Sequence, residues 1–344
     1  METNLSDTVV LANAGAARKV DPGFDIRAGI ETLRREKNAV ILAHYYQDPE
    51  IQDLADYVGD SLDLSRRAQA AKADVIVFCG VRFMAEVAKI INPKRRVLLP
   101  DADAGCSLEE ACRPGDFRAM RQAHPDHVAI SYINCSADVK ALSDIIVTSS
   151  NAEAIIGQIP QGKPILFAPD KHLGAFLNKK TGRDMLLWDG ACIVHEEFSE
   201  TGILDLRAAD PGVRVVAHPE CPDTILGIAD HVGSTSSILD YVFSSGADAF
   251  IIATEPHIIH QMELQAPDKR FIPAPGVHEA RETGSCPCTF CPYMAMNTLE
   301  KLYLCLANGA PRIEMSEDLR LAALKPLERM LEMSPKAKTA QAAE

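Results

Sequence analysis

Residues 40–61, VILAHYYQDPEIQDLADYVGDS, decide the fold because their pattern recurs twice, as VAISYINCSADVKALSDIIVTSS at 128–150 and RVVAHPECPDTILGIADHVGSTS at 214–236. In each copy an apolar run ends in a polar residue, a second polar residue follows two positions later, and a hydroxyl residue stands 17 positions after the first. His44, Tyr132 and His218 are the first members, Tyr46, Asn134 and Glu220 the partners, and Ser61, Ser149 and Thr235 the hydroxyls. The first members are 88 and 86 residues apart, too long a period for a solenoid repeat and the length of a small domain. Residues two apart on a strand point to one side, so each pair can face one ligand at the strand's carboxyl end, where open α/β sheets bind ligands. The alternative for any one of these histidines is a hydrogen-bonded strand end, and for each hydroxyl a helix N-cap. A capped N-terminus is also a site for phosphate or carboxylate, so the two roles are compatible.

Outward from these copies, short apolar runs alternate with helical stretches at 39–43, 75–79, 96–99, 128–132, 165–168, 185–188, 213–217, 249–253 and 270–272. Buried runs separated by helices predict parallel strands in α/β units. The expected fold is α/β: three homologous three-layer αβα domains with short parallel sheets around a pseudo-threefold axis, with the active site at the centre. The expected boundaries are a frayed N-terminus over 1–24, domains over 25–112, 113–198 and 199–295, C-terminal helices over 296–333 packing back on the core, and a disordered tail over 334–344.

With 47% hydrophobic and 24% charged residues, the 344-residue chain has the composition of an ordinary globular protein. A formal charge of −13 without a Lys/Arg run argues against nucleic acid, and the apolar runs are far below the roughly 20 residues of a membrane helix. The N-terminal stretch lacks the basic start and apolar core of a signal peptide, which leads to the expectation of a cytoplasmic protein with no membrane partner. Ten cysteines in that compartment imply metal binding, catalysis or burial rather than disulfides.

One cysteine follows the third strand of each unit: Cys106 in LLPDADAGCSLEEAC, Cys192 in LLWDGACIVHEEF and Cys291 in SCPCTFCPYMAMNTLEKL. Three thiolates converging on one axis suit a cubane cluster with one iron free of protein ligands. Zinc is the competing reading of CPCTFCP, although a second nearby cysteine pair is missing. A ferredoxin-type run is also missing, so cluster ligands must come from distant positions. Cys112 competes with Cys106, Cys286 and Cys288 form a spare pair, and Cys79, Cys135, Cys221 and Cys305 read as buried.

The motifs AHYYQ, GDSLDLS, FCGVRFMAE, SYINCSADVKA, TSSNA, LLWDGACIVHEEF, HPECP, GSTSS and CPYMAMNTLEKL resemble the quinolinate synthase family from about residue 25 to about 328. The resemblance implies condensation of iminoaspartate with dihydroxyacetone phosphate to quinolinate in NAD biosynthesis, and L-aspartate oxidase as a candidate partner supplying iminoaspartate. It implies a [4Fe–4S] cluster on Cys106, Cys192 and Cys291, with the fourth iron meeting substrate. It also implies a substrate cavity lined by His44, Ser61, Tyr132, Asn134, Ser149, His218, Glu220 and Thr235, with Tyr46 and His195 at active-site positions.

On this reading Glu220 and His218 are the candidates for proton transfer, Tyr46 and Tyr132 add hydrogen bonds or relay, and His44 with the hydroxyls holds anionic groups. Two features depart from the family's pattern: Lys171 and His172 in DKHLG, and a Cys-x-Cys spacing at Cys286 and Cys288 that makes a disulfide awkward. Two other functions compete, an iron–sulfur hydro-lyase acting on another small acid and a non-catalytic cluster or zinc protein.

Overall fold

Alternation along the first central strands builds two cores on opposite faces of one sheet. On one face Ile41, Ala43, Val75, Val77 and Cys79 pack with Ile30, Leu302 and Leu306. On the other, Leu42, Ile76 and Phe78 pack with Leu62, Leu64, Val87 and Ile90. Burial on both faces explains why these strands read as unbroken apolar runs rather than alternating ones. The computed structural model describes residues 10–12, 20–21, 23–277 and 289–334.

The first unit runs β1 (Val10–Ala12), α1 (Ile26–Glu36), β2 (Ala39–His44), α2 (Pro49–Leu54), β3 (Tyr57–Gly59), α3 (Ser61–Ala70), β4 (Val75–Cys79), α4 (Arg82–Ile91), β5 (Arg96–Leu98) and α5 (Ser107–Ala111). The second runs α6 (Pro114–Ala123), β6 (Val128–Tyr132), α7 (Ala137–Leu142), β7 (Ile145–Val147), α8 (Ala152–Gly157), β8 (Ile165–Ala168), α9 (Lys171–Thr181) and β9 (Leu186–Leu187). The third follows a 3-10 turn at His195–Glu197 with α10 (Glu200–Ala209), β10 (Arg214–Ala217), α11 (Asp223–Ile228), β11 (His231–Val232), α12 (Thr235–Ser244), β12 (Ala249–Ala253), α13 (Ile258–Gln265) and β13 (Arg270–Pro273). The chain closes with α14 (Leu299–Asn308), β14 (Arg312–Glu314) and α15 (Glu317–Met333).

Three sheets result, ordered β1-β14-β5-β4-β2-β3, β7-β6-β8-β9 and β11-β10-β12-β13. All pairings are parallel except those of β14, which runs antiparallel to β5 and to β1. The second and third sheets repeat the two-faced burial: Ala129, Leu166 and Ala168 lie opposite Ile130, Ile165 and Phe167, and Val215, Ala217 and Ile251 lie opposite Val216, Phe250 and Ile252. All nine expected strand regions hold strands. The short strands β3, β7 and β11 add an edge to each sheet that sequence reading missed, because two or three residues give too brief an apolar run to register. β1 lies in the stretch expected to be frayed and is described here only by its pairing with β14. The helix α15 carries Leu319, Ala323, Leu327 and Met330 into the core shared by the first two units and packs on α7.

A second feature repeats with the same period. Asp56, Asp144 and Asp230 stand 88 and 86 residues apart, matching the period of the polar constellations. Each carboxylate accepts, at 2.8 Å, the backbone N–H of a central strand, from Ile41, Ala129 and Val215 respectively. Each receives an arginine from the preceding helix: Arg34 at 2.6 Å, Arg121 at 2.7 Å and Arg207 at 2.7 Å. One device thus ties helix and strand together three times, satisfying a central-strand amide just before the short edge strand begins to pair.

Candidate functional site

The carboxyl ends of β2, β6, β10 and β12, strands of all three sheets, open on one cavity. His44, Tyr46, Ser61, Tyr132, Asn134, Ser149, His195, His218, Glu220 and Thr235 all line it, together with the cysteines Cys106, Cys192 and Cys291. Every site residue singled out from the sequence therefore reaches one chamber.

The polar pairs do not both lie on strands as alternation suggested. His44 and Tyr132 end their strands, His218 follows β10, and the partners Tyr46, Asn134 and Glu220 stand in the turns beyond. The turn itself organises two of the pairs. The backbone N–H of Tyr46 donates to His44 Nδ1 at 3.2 Å, and that of Glu220 donates to His218 Nδ1 at 3.4 Å. With Nδ1 accepting, a neutral ring carries its proton on Nε2. Burial holds His44 down to about 4, partly offset by Asp60 and Glu220, and His218 down to about 3, partly offset by Glu220, so both rings are neutral at physiological pH.

These buried imidazoles tie stability to pH. Below about 6.5 the unfolded chain protonates these rings while the folded one does not, so the unfolded state holds more protons and stability rises with pH. Stability is therefore intact above about 6.5 and falls progressively toward about 4 for His44 and about 3 for His218. Urea unfolding from pH 4.5 to 7.5 should show a slope contribution of up to roughly 1.4 kcal/mol per pH unit per ring. The double variant His44→Asn/His218→Asn should be flatter, and equal slopes in the two proteins would contradict the assignment.

Glu220 sits at the centre of a buried network. Tyr132 donates its hydroxyl to Glu220 Oε1 at 2.6 Å, and His195 Nδ1 lies 3.1 Å from Glu220 Oε2. The second contact is close but poorly aligned, leaving His195 Nδ1 without a hydrogen-bond partner. Burial alone raises the Glu220 carboxyl, but the His195 ring beside it and the hydrogen bond from Tyr132 outweigh it and hold it below the usual carboxylate range. His195 Nε2 lies 3.1 Å from Thr254 Oγ1, which is 2.6 Å from the hydroxyl of Tyr46. Tyr46, Thr254, His195, Glu220 and Tyr132 thus form one chain of contacts drawn from all three sheets. Burial keeps both tyrosines protonated by raising their hydroxyls well above the ordinary value.

Thr254 was missed from the sequence, although the signal was there, since β12 also ends in polar residues in IIATEP. Glu255, buried beside it, receives the backbone N–H of Cys291 at 3.3 Å and the backbone N–H of His257 at 2.8 Å, which anchors the third cysteine segment. Asn134 Oδ1 and Thr148 Oγ1 are buried polar atoms without hydrogen-bond partners at the cavity, the kind of group a polar ligand satisfies.

Burial pushes all three cavity thiols up, Cys291 to about 11, and each is raised further by charge on the other cysteines or on nearby carboxylates. Such a wall favours thiolates only when a cationic group draws the protons off. Among the described residues the close group of three metal-ligand donors, all within 4.8 Å, is Cys192, His195 and Glu220. Cys106 and Cys291 do not join it, so the three sulfurs are not gathered as tightly as chelation of one zinc ion requires. Three thiols on one wall are the soft donors that iron–sulfur groups take.

Other expectations find their places. Cys112 is fully buried against Phe117 and Leu166, in a core away from the cavity lining. Cys79, Cys135, Cys221 and Cys305 are buried. Cys286 and Cys288 lie outside the described residues. Lys171 and His172 reach Glu196 at 3.3 and 3.1 Å, outside the cavity lining. The hydroxyl residues are not the N-caps: Asp60 caps α3 and Ser234 caps α12, leaving Ser61 and Thr235 at the first helical position, while Ser149 stands in the turn before Asn151. A cap one residue earlier frees those two hydroxyls from accepting their own helix amides. No helix among the described residues is long and apolar enough to cross a membrane.

Residues 28–332 match the family described as Quinolinate synthetase A protein. The quinolinate synthase of Microcystis aeruginosa is 57% identical over 310 residues, covering 90% of this chain and 95% of that protein. That of Nostoc punctiforme is 55% identical over 327 residues, covering 95% and 99%. That of Chloroherpeton thalassium is 57% identical over 311 residues, covering 90% and 95%.

Proposed function

Given that this chain belongs to the quinolinate synthetase A family, we infer that it is an enzyme forming quinolinate in NAD biosynthesis, and that its substrates are iminoaspartate and dihydroxyacetone phosphate. The observation that carries this is the meeting of three thiols from separate units with the Tyr46–Thr254–His195–Glu220–Tyr132 network in one cavity. The three sheets are read as the units 25–112, 113–198 and 199–295 arranged about that cavity. L-aspartate oxidase is the candidate supplier of the unstable iminoaspartate.

The reaction joins the two substrates, releases one phosphate and two waters, and balances without an oxidant. Its demands are proton transfers and the holding of anions. Ser61, Ser149 and Thr235 are the proposed holders of carboxylate or phosphate, aided by the Nε2–H groups of His44 and His218. Glu220 is the proposed base that removes protons beside the substrate, with Tyr132 holding its carboxylate in place. Tyr46 is the proposed hydroxyl donor to the substrate, its proton replaced from His195 through Thr254. A cavity drawn from three units lets small substrates be enclosed and water excluded while rings and hydroxyls orient them.

Cys106, Cys192 and Cys291 are the residues that would hold a [4Fe–4S] cluster. When bound, such a cluster supplies a Lewis-acid iron that polarises a hydroxyl or carboxylate.

The deciding experiment is anaerobic purification followed by an assay for quinolinate from the two substrates. The expected protein is brown, holds about four irons, releases one phosphate per quinolinate and loses activity in air. A preparation containing stoichiometric zinc and no iron that made quinolinate at full rate would overturn the cofactor reading. A preparation that hydrated another small acid and formed no quinolinate would overturn the substrate reading.

A further inference from the structure

The three proposed anion-holding hydroxyls stand just beyond the edge strands β3, β7 and β11 of three different sheets, so no local hydrogen-bond pattern can set their spacing. One side chain spans all three units. Asp60, 5% exposed, accepts the backbone N–H groups of Leu62 and Asp63 on Oδ1, both at 2.9 Å, which caps its own helix α3. Its other oxygen, Oδ2, accepts the hydroxyl of Ser150 at 2.7 Å and that of Ser236 at 2.7 Å. These contacts bridge 90 and 176 residues of chain. Asp60, Ser150 and Ser236 are the immediate neighbours of Ser61, Ser149 and Thr235.

The junction breaks the repeat in a way that has a physical reason. The positions matching Asp60 in the other copies are Thr148 and Ser234, whose side chains are shorter and uncharged. Three carboxylates meeting at one point would repel one another, whereas one carboxylate among hydroxyl donors makes strong, charge-assisted bonds. We propose that Asp60 is a positioning residue: it clamps the second and third units to the first through Ser150 and Ser236 and so sets the spacing of the Ser61–Ser149–Thr235 ring that receives the anionic groups. This rests on the reading of that ring as the anion holder.

Capping and clamping can be separated by substitution. Asp60→Ser keeps a good N-cap for α3 but is too short to hold both partner hydroxyls. In the iron-loaded enzyme it should weaken quinolinate binding about tenfold by calorimetry and raise KM similarly, with kcat within about threefold and iron content unchanged. Asp60→Asn, whose amide keeps the capping oxygen and can donate to the serines, should restore binding to within about threefold. The double variant Ser150→Ala/Ser236→Ala should reproduce the loss in Asp60→Ser, and adding Asp60→Ser to it should cost little more.

Normal quinolinate affinity in both Asp60→Ser and the double serine variant, with Ser61→Ala/Ser149→Ala/Thr235→Ala binding weakly, would overturn the clamp while keeping the ring. Normal affinity in that ring variant would overturn the reading on which the clamp rests. If Asp60→Ser does not fold, the serine double variant alone decides the matter.

Discussion

Glu220→Gln should lower turnover by roughly 10²-fold or more while leaving iron content and quinolinate affinity near those of the parent protein. Glu220 is the group in the buried chain that carries a negative charge at neutral pH, because burial holds both tyrosines protonated while its own carboxyl is held low. The substitution does more than remove a base. A glutamine oxygen can still accept from Tyr132, but its amide group then faces His195 Nδ1 as a donor, so that nitrogen must accept. His195 would then carry its proton on Nε2 and donate to Thr254, setting the direction of the bond that links it to Tyr46. Where a catalytic histidine is held in the wrong tautomer, losses of this order and larger follow even with the geometry intact. Turnover, iron and binding measured on one preparation check the point, and near-normal turnover with a full complement of iron would reduce Glu220 to a structural acceptor.

Cys106→Ala, Cys192→Ala and Cys291→Ala should each abolish cluster binding, taking the iron content from about four per chain to near zero. Each thiol belongs to a different unit and none can be replaced by a neighbour: Cys112 is packed against Phe117 in a separate core, and Cys135 and Cys221 are fully buried. Burial makes three free thiolates costly at this wall, so the protein binds them as thiolates only together with a cationic group. Cys112→Ala and Cys288→Ala should keep both iron and the visible absorption of the cluster. Iron and sulfide analysis of anaerobically reconstituted variants checks this. Loss of iron in Cys112→Ala or Cys288→Ala, with iron kept in one of the three ligand variants, would overturn the ligand assignment.

Much of this site was legible because its residues lie where a parallel α/β unit always places them. A polar residue that closes an apolar run lies at the strand's carboxyl end, so His44, Tyr132 and His218 could be found from pattern alone. Glu220 and Asn134 followed from spacing, although the turn after the strand, and not strand alternation, aims them. The hydroxyls were found, while their capping role was misplaced by one position, since Asp60 and Ser234 occupy the caps of α3 and α12. Thr254 escaped because IIATEP lies outside the three repeated segments, so the polar end of that strand was not matched to a partner in the other copies.

The sequence by itself determined the α/β class, the three-part repeat and the set of thiols, imidazoles and hydroxyls available to the cavity. These follow from local burial patterns and from positions one period apart, which need no knowledge of how the sheets meet. Only the tertiary structure decided which of these groups touch. The Tyr46–Thr254 contact spans 208 residues of chain, and the His195–Thr254 contact spans 59. The contacts of Asp60 with Ser150 and Ser236 likewise join the start of α3 to the turn after β7 and to α12. The relative placement of the sheets is set by packing of apolar surfaces that are interchangeable in sequence, so the partners of a buried polar atom emerge only when those surfaces have closed.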